Sequence, residues 1–119
     1  MRPKTLALLA ALTMAAPAAA HDAKSLHGGH IVQAGNFHVE MVAKADTIDV
    51  YLIDHNNKQI AVAGYKGLAI LSVDGRSQRI PLEAADGKLT GKVTGNLPAQ
   101  PKGVVQITPP GGTTVSAKF

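Results

Sequence analysis

The chain has 119 residues, a formal net charge of +4 at pH 7, and neither cysteine nor tryptophan. The lack of cysteine excludes disulfide frameworks and thiolate metal sites. With two phenylalanines, two tyrosines and basic residues scattered singly, the chain lacks a stacking platform and a basic stripe, which excludes nucleic-acid binding. A chain of this length is expected to form one domain.

Residues 1–20 have the three parts of a secretory signal peptide. A short basic start precedes an apolar run at 6–16, which is too short for a comfortable membrane span, and small residues follow up to Ala20. We expect cleavage after Ala20, which makes His21 the mature N-terminus of a periplasmic protein without a membrane span. Two alternatives to this site are cleavage after Ala18 and an uncleaved N-terminal anchor.

Residues 21–29 show no β pattern and are expected to form a flexible arm that contains histidine. From residue 30 onward, alternating or β-branched runs are separated by turn residues, including Asp-Gly pairs that supply the positive φ of hairpins. The predicted strands are 30–33, 37–44, 47–53, 59–63, 67–73, 78–82, 89–93, 104–108 and 113–118. Their close spacing, without a helical period, predicts an all-β domain over 30–119, an antiparallel Ig-like β-sandwich of about seven to nine short strands.

Four histidines lie between residues 21 and 38, with a carboxylate close behind. Neutral imidazoles suit a transition-metal ion such as copper or zinc, whereas calcium and magnesium prefer oxygen cages. An N-terminal histidine would add its free amine as a second ligand. The sequence leaves the metal open between Cu(II) and Zn(II). The candidate ligands are His21, His27, His30, His38 and Glu40.

The loop between the first two predicted strands decides whether the candidate ligands share a face. A three-residue loop at 34–36 pairs His30 with Glu40 and places His38 on the same face, because cross-strand partners and alternate residues share a face. A two-residue loop places His30 on the face opposite His38 and Glu40. We favour the three-residue loop, because it joins Ile31 to the apolar residues of the second strand in the core.

Each candidate also has a simpler interpretation without metal. A histidine on an exposed strand or turn is usually only solvated, and we expect this of His55 in its asparagine-rich turn. Glu40 can equally be an ordinary solvent-facing strand residue. The Gly28-Gly29 pair can be only a flexible connection to the first strand, rather than a turn that brings His27 close to a metal ion.

Three features of the first half resemble the N-terminal domain of periplasmic adaptor proteins from heavy-metal efflux pumps. They are the stretch His-Gly-Gly-His-Ile-Val at 27–32, the turn glycine at 35 and the stretch Phe-His-Val-Glu-Met-Val at 37–42. The likeness continues more loosely through 49–54, 58–60 and 86–91. The residues that match the adaptor motif are His27, Gly28, Gly29, His38 and Glu40, whereas His21 is not part of the resemblance.

The resemblance implies a small β-sandwich that takes part in copper, zinc or related metal handling. Adaptors continue into a helical hairpin and further domains, so the resemblance implies a stand-alone version here, with an efflux-pump component as a candidate partner.

We therefore expect a periplasmic metal-binding protein, a chaperone, buffer or accessory of heavy-metal resistance and efflux. One alternative is a metal-independent envelope module that binds another protein through a sheet edge. A copper oxidoreductase built on His21 is a third hypothesis. We do not expect an enzyme, because the sequence offers no nucleophile–base pair or paired carboxylates.

Overall fold

The computed structural model describes residues 25–119, which fold into eight antiparallel strands. The predicted all-β, antiparallel architecture is confirmed. Within this range no helix is long and apolar enough to cross a membrane. The predicted signal peptide and His21 lie outside the described residues. The strands are β1 His30–Ala34, β2 Phe37–Lys44, β3 Thr47–Ile53, β4 Lys66–Val73, β5 Arg76–Ala85, β6 Lys88–Lys92, β7 Gly103–Thr108 and β8 Val115–Lys118.

The strands follow one another in a continuous, nearly barrel-shaped sheet of order β1-β2-β3-β6-β5-β4-β7-β8. The predicted Ig-like sandwich is not confirmed. The two edge strands of the sheet come close together, since a Cβ added to Gly35, directly after β1, would lie 3.0 Å from the Val115 side chain of β8. This arrangement gives the fold one enclosed core.

The strand predicted at 59–63 is wrong, although the other eight predicted strands are present. This segment contributes one isolated bridge, between Gln59 and Ile53. It belongs to the connection from β3 to β4, where Ile60 and Val62 pack against the core. Because β6 already pairs with 47–50 on that edge of β3, only 51–53 remain for the segment, and it forms its one bridge there.

Strands β2 and β3 are buried on both faces. Their inward residues, among them Val39, Val50 and Leu52, belong to the hydrophobic core and are fully buried. On the outward face, Glu40 and Asp49 are also almost inaccessible to solvent. A buried outward face requires a cover and partners for its polar groups, because an unpaired buried charge is strongly destabilising.

The hairpin between β1 and β2 has a two-residue loop, so the predicted three-residue loop is wrong. The register pairs Ala34 with Phe37, and His30 therefore lies opposite Met41. Gly35 has a φ of 56°. A positive φ at the first loop residue is the pattern of a type II′ turn, whose twist matches that of the flanking strands. Consequently His30 shares a face with Met41, and the predicted common face with Glu40 is not formed.

We predict that Gly35→Ala lowers the free energy of unfolding by more than Gly75→Ala. Both glycines have positive φ, but a Cβ at Gly75 meets nothing within 4 Å, whereas one at Gly35 meets Val115. An L-residue in this region costs about 1–2 kcal/mol, so we expect a loss of about 1 kcal/mol at Gly75 and about 2 kcal/mol or more at Gly35. Urea unfolding of both variants measures this, and equal losses would contradict the close approach to β8.

Candidate functional site

The carboxylate of Glu40 is fully buried and holds the segment 25–29 against the outer face of β2. Its Oε2 accepts hydrogen bonds from Ser25 Oγ at 2.6 Å, from the His27 amide at 3.0 Å and from the Gly29 amide at 2.7 Å. Its Oε1 accepts the Leu26 amide at 3.2 Å and lies 3.0 Å from His27 Nδ1. The part of the predicted flexible arm that the structure describes is thus bound to the sheet.

These contacts determine the charge of Glu40 and the proton position on His27. Burial by itself raises the pKa of the Glu40 carboxyl, but the hydrogen bonds from Ser25, Gly29 and His27 outweigh this effect and lower the pKa below its usual value. Glu40 is therefore ionised at neutral pH and can only accept hydrogen bonds. His27 Nδ1 must carry a proton to donate to it, which leaves Nε2 of the neutral ring with a free lone pair.

The His27 ring is also fixed by stacking. It lies parallel to the Tyr51 ring, with centroids 3.5 Å apart and an interplanar angle of 9°. Tyr51 is placed there by the β2–β3 register, in which it is the direct partner of Glu40. The His27 side chain remains 30% exposed. The result is an oriented imidazole at the surface, held at one nitrogen and on one face.

The two glycines before β1 make this close approach possible. Gly28 has a φ of 75°, a conformation that other residues rarely adopt. A Cβ at Gly29 would lie 2.5 Å from the Met41 carbonyl oxygen and 2.9 Å from Glu40 Cγ, so only glycine fits without a shift. The pair is therefore a requirement of the Glu40 contacts rather than only a flexible entry.

His38 lies on the same outward face as Glu40 but has different neighbours. It is 6% exposed, and its Nδ1 is buried without a hydrogen-bond partner among the described residues. Its ring lies edge-on to His55, with centroids 5.9 Å apart and an interplanar angle of 83°. His55 is exposed, as expected, but it lies against another histidine rather than in open solvent.

His30 occupies a third place. Its ring makes an edge contact with Phe119, with centroids 5.5 Å apart, and it borders a groove between segment 25–29 and loop 99–101. Within residues 25–119, no three histidine, aspartate or glutamate side chains lie close enough together to hold one metal ion. The structure therefore brings His27 and Glu40 together, places His30 and His38 elsewhere, and does not describe His21.

Asp49 is a second buried carboxylate on the outward face, and it was not among the predicted site residues. It accepts hydrogen bonds from Lys88 at 3.1 Å and Thr90 at 2.8 Å, and pairs with Lys44 at 3.0 Å. Burial raises the pKa of Asp49, but these three partners outweigh it and lower the pKa, while Asp49 raises the pKa of Lys88. All these charges are paired within the sheet, so the cluster fits a structural role.

Comparison with known proteins assigns no relative. No protein-family description matches the chain, and neither a curated protein nor a solved structure is significantly similar to it. The candidate site must therefore be interpreted from its own geometry.

We predict that Glu40→Gln lowers the free energy of unfolding by about 3 kcal/mol, because hydrogen bonds to a charged group contribute roughly 1.5–3 kcal/mol each and the amide NH2 would face N–H donors. The amides of His27 and Gly29 should lose their protection in hydrogen exchange at the same time. Glu83→Gln, on the exposed side of β5, is the matched control and should change neither. Unchanged protection of these two amides in the Glu40 variant would refute the anchoring role.

We also predict that this stabilisation depends on pH. Since the folded chain lowers the pKa of Glu40 from 4.5, the ionised carboxylate contributes its full stability above about pH 4.5 and loses it as the pH falls through the lowered value. The difference in unfolding free energy between the parent and Glu40→Gln should be constant near neutral pH and shrink in acid. Asp49 contributes to both proteins and cancels in this difference. Urea titrations across the acid range measure it, and a difference that grows in acid would contradict the assignment.

Proposed function

We propose that the protein is a periplasmic transition-metal-binding protein that binds Cu(II) or Zn(II) and serves as a chaperone, buffer or accessory of heavy-metal resistance and efflux. The observation that supports this most is the oriented imidazole of His27. Its Nδ1 donates to the buried Glu40 carboxylate, its Nε2 has no hydrogen bond among the described residues, and the side chain is 30% exposed.

Metal-bound histidines almost always donate their second ring nitrogen to a carboxylate, carbonyl or water, which fixes the tautomer and raises the basicity of the ligating nitrogen. The Glu40–His27 pair has this arrangement before any ion arrives. In this proposal Glu40 is a positioning residue, not one of the metal ligands that the sequence predicted. His21, six residues before His27, would supply its ring and free amine, a nitrogen set that suits Cu(II).

The periplasmic part of the proposal rests on the signal-peptide pattern of residues 1–20, which would expose the amine of His21 after export. An export route also fits a protein without cysteine thiolates, whose metal chemistry would depend on nitrogen ligands that survive an oxidising compartment.

A second candidate function is a metal-independent envelope module. One observation favours it: the Glu40 hydrogen bonds are complete without an ion. Such a module would bind an extended segment of another protein along β1 or β8, away from the point where Gly35 approaches Val115. We do not propose an enzymatic function.

Titration of the chain starting at His21 with Cu(II) and with Zn(II) separates the two candidates. We expect binding near neutral pH that falls below about pH 6, because protonated imidazole cannot bind metal. His27→Gln should weaken binding, and Glu40→Gln should weaken it about 10–100-fold, the usual effect of removing the partner of a ligand. Glu83→Gln is the control.

If the parent chain binds neither ion, the metal-independent module becomes the better interpretation. If it binds metal but His27→Gln and Glu40→Gln bind as tightly as the parent, the metal lies elsewhere and the role of His27 is wrong.

A further inference from the structure

The Nδ1 atom of His38 is a buried polar atom without a partner among residues 25–119. Nearly all buried polar side-chain atoms in folded proteins have a partner, because an unsatisfied group costs free energy. The backbone of His38 is fixed in β2 between its partners Gln33 and Ile53, and the residue is only 6% exposed. The atom therefore requires a partner that is neither a backbone group nor a described side chain.

The His55 side chain, also an imidazole, lies edge-on to the His38 ring. The two ring centroids are 5.9 Å apart. Two imidazoles that bind one ion, each at a nitrogen–metal distance of about 2.0–2.1 Å, have ring centroids roughly 5–6 Å apart. The observed separation falls within the range for a shared ion, a range that edge-to-face packing of two rings also covers, so the unpartnered Nδ1 is the observation that favours an ion.

The turn that carries His55 is held in place before any ion binds. The Asp54 carboxylate accepts the amides of Asn56 at 2.8 Å and Lys58 at 2.9 Å, and the Asp54 carbonyl accepts the amide of Asn57. The turn also continues directly from β3, whose register sets Ile53 opposite His38. Little conformational entropy would therefore be lost on ordering His55, which favours binding at this point.

We propose that His38 and His55 together bind one first-row transition-metal ion, copper or zinc, at a second site separate from His27. The buried Nδ1 of His38 supplies one ligand, exposed His55 supplies the other and admits the ion, and water completes the coordination. Imidazole nitrogen suits these two ions, and neither ring has a carboxylate partner among its described contacts. This inference goes beyond the proposed function, since the pair would bind an ion whether or not His27 does.

The test uses 15N-labelled chain starting at His21, with Zn(II) and Cu(II) as the probes. Equilibrium dialysis counts bound ions for the parent, His55→Gln and His27→Gln, and long-range 1H–15N spectra with Zn(II) report each ring nitrogen. We expect His55→Gln to lose one equivalent and to abolish the zinc-induced shift of His38 Nδ1. His27→Gln should lose only the equivalent bound at its own site and should keep the zinc-induced shift of His38 Nδ1. His55 is exposed, so its substitution should leave the fold intact, which amide spectra verify.

Three results would overturn this site. His55→Gln could take up as much of both ions as the parent, His38 Nδ1 could keep its shift unchanged on zinc addition, or the parent could bind neither ion. In the second case an ordered water would be the partner of Nδ1. Loss of ions in His55→Gln but not in His27→Gln would support this site and contradict the role of His27, so the two proposals fail separately.

Discussion

The buried charge of Glu40 is the constraint from which the candidate site follows. A carboxylate removed from water is tolerated only when hydrogen bonds satisfy it, and here the donors come from residues 25–29. Satisfying this charge draws the chain before β1 over the outer face of β2 and β3. The same contacts require glycine at position 29 and bring the His27 ring onto Tyr51. One interaction thus anchors the segment and orients an imidazole.

The strand register then divides the histidines among separate places. The two-residue turn at Gly35 turns His30 away from the face of Glu40 and His38, and the β2–β3 hairpin brings the turn with His55 next to His38. Two imidazole environments result on one face of the sheet. One has a nitrogen oriented by a carboxylate, and in the other a ring with a buried, unpartnered nitrogen lies edge-on to a second ring.

Residue alternation and turn chemistry predicted most of the fold, and β2 and β3 match residue for residue. The first hairpin was predicted wrongly because Ile31 and Val32 are both apolar, so the alternation suits either loop length. The positive φ that glycine allows at Gly35 was the signal for the shorter loop. Alternation predicts where strands lie in the chain but not their order in the sheet. It therefore could not test the Ig-like sandwich, because strand order depends on which sheet edges the strands after long connections join.

The site was less predictable than the fold. The motif at 27–40 marked His27 and Glu40, but the burial of Glu40 depends on how residues 25–29 fold over it, which no local pattern encodes. Tyr51 and His55 were within reach of prediction, because the hairpin between the correctly predicted strands 37–44 and 47–53 places them opposite Glu40 and beside His38.

Anomalous diffraction from crystals of the chain loaded with zinc measures most directly whether His27 binds metal. We expect a zinc peak about 2.0–2.1 Å from His27 Nε2, with Nδ1 still bonded to Glu40. A zinc ion bound to a Glu40 oxygen, or His27 without zinc in loaded crystals, would contradict it.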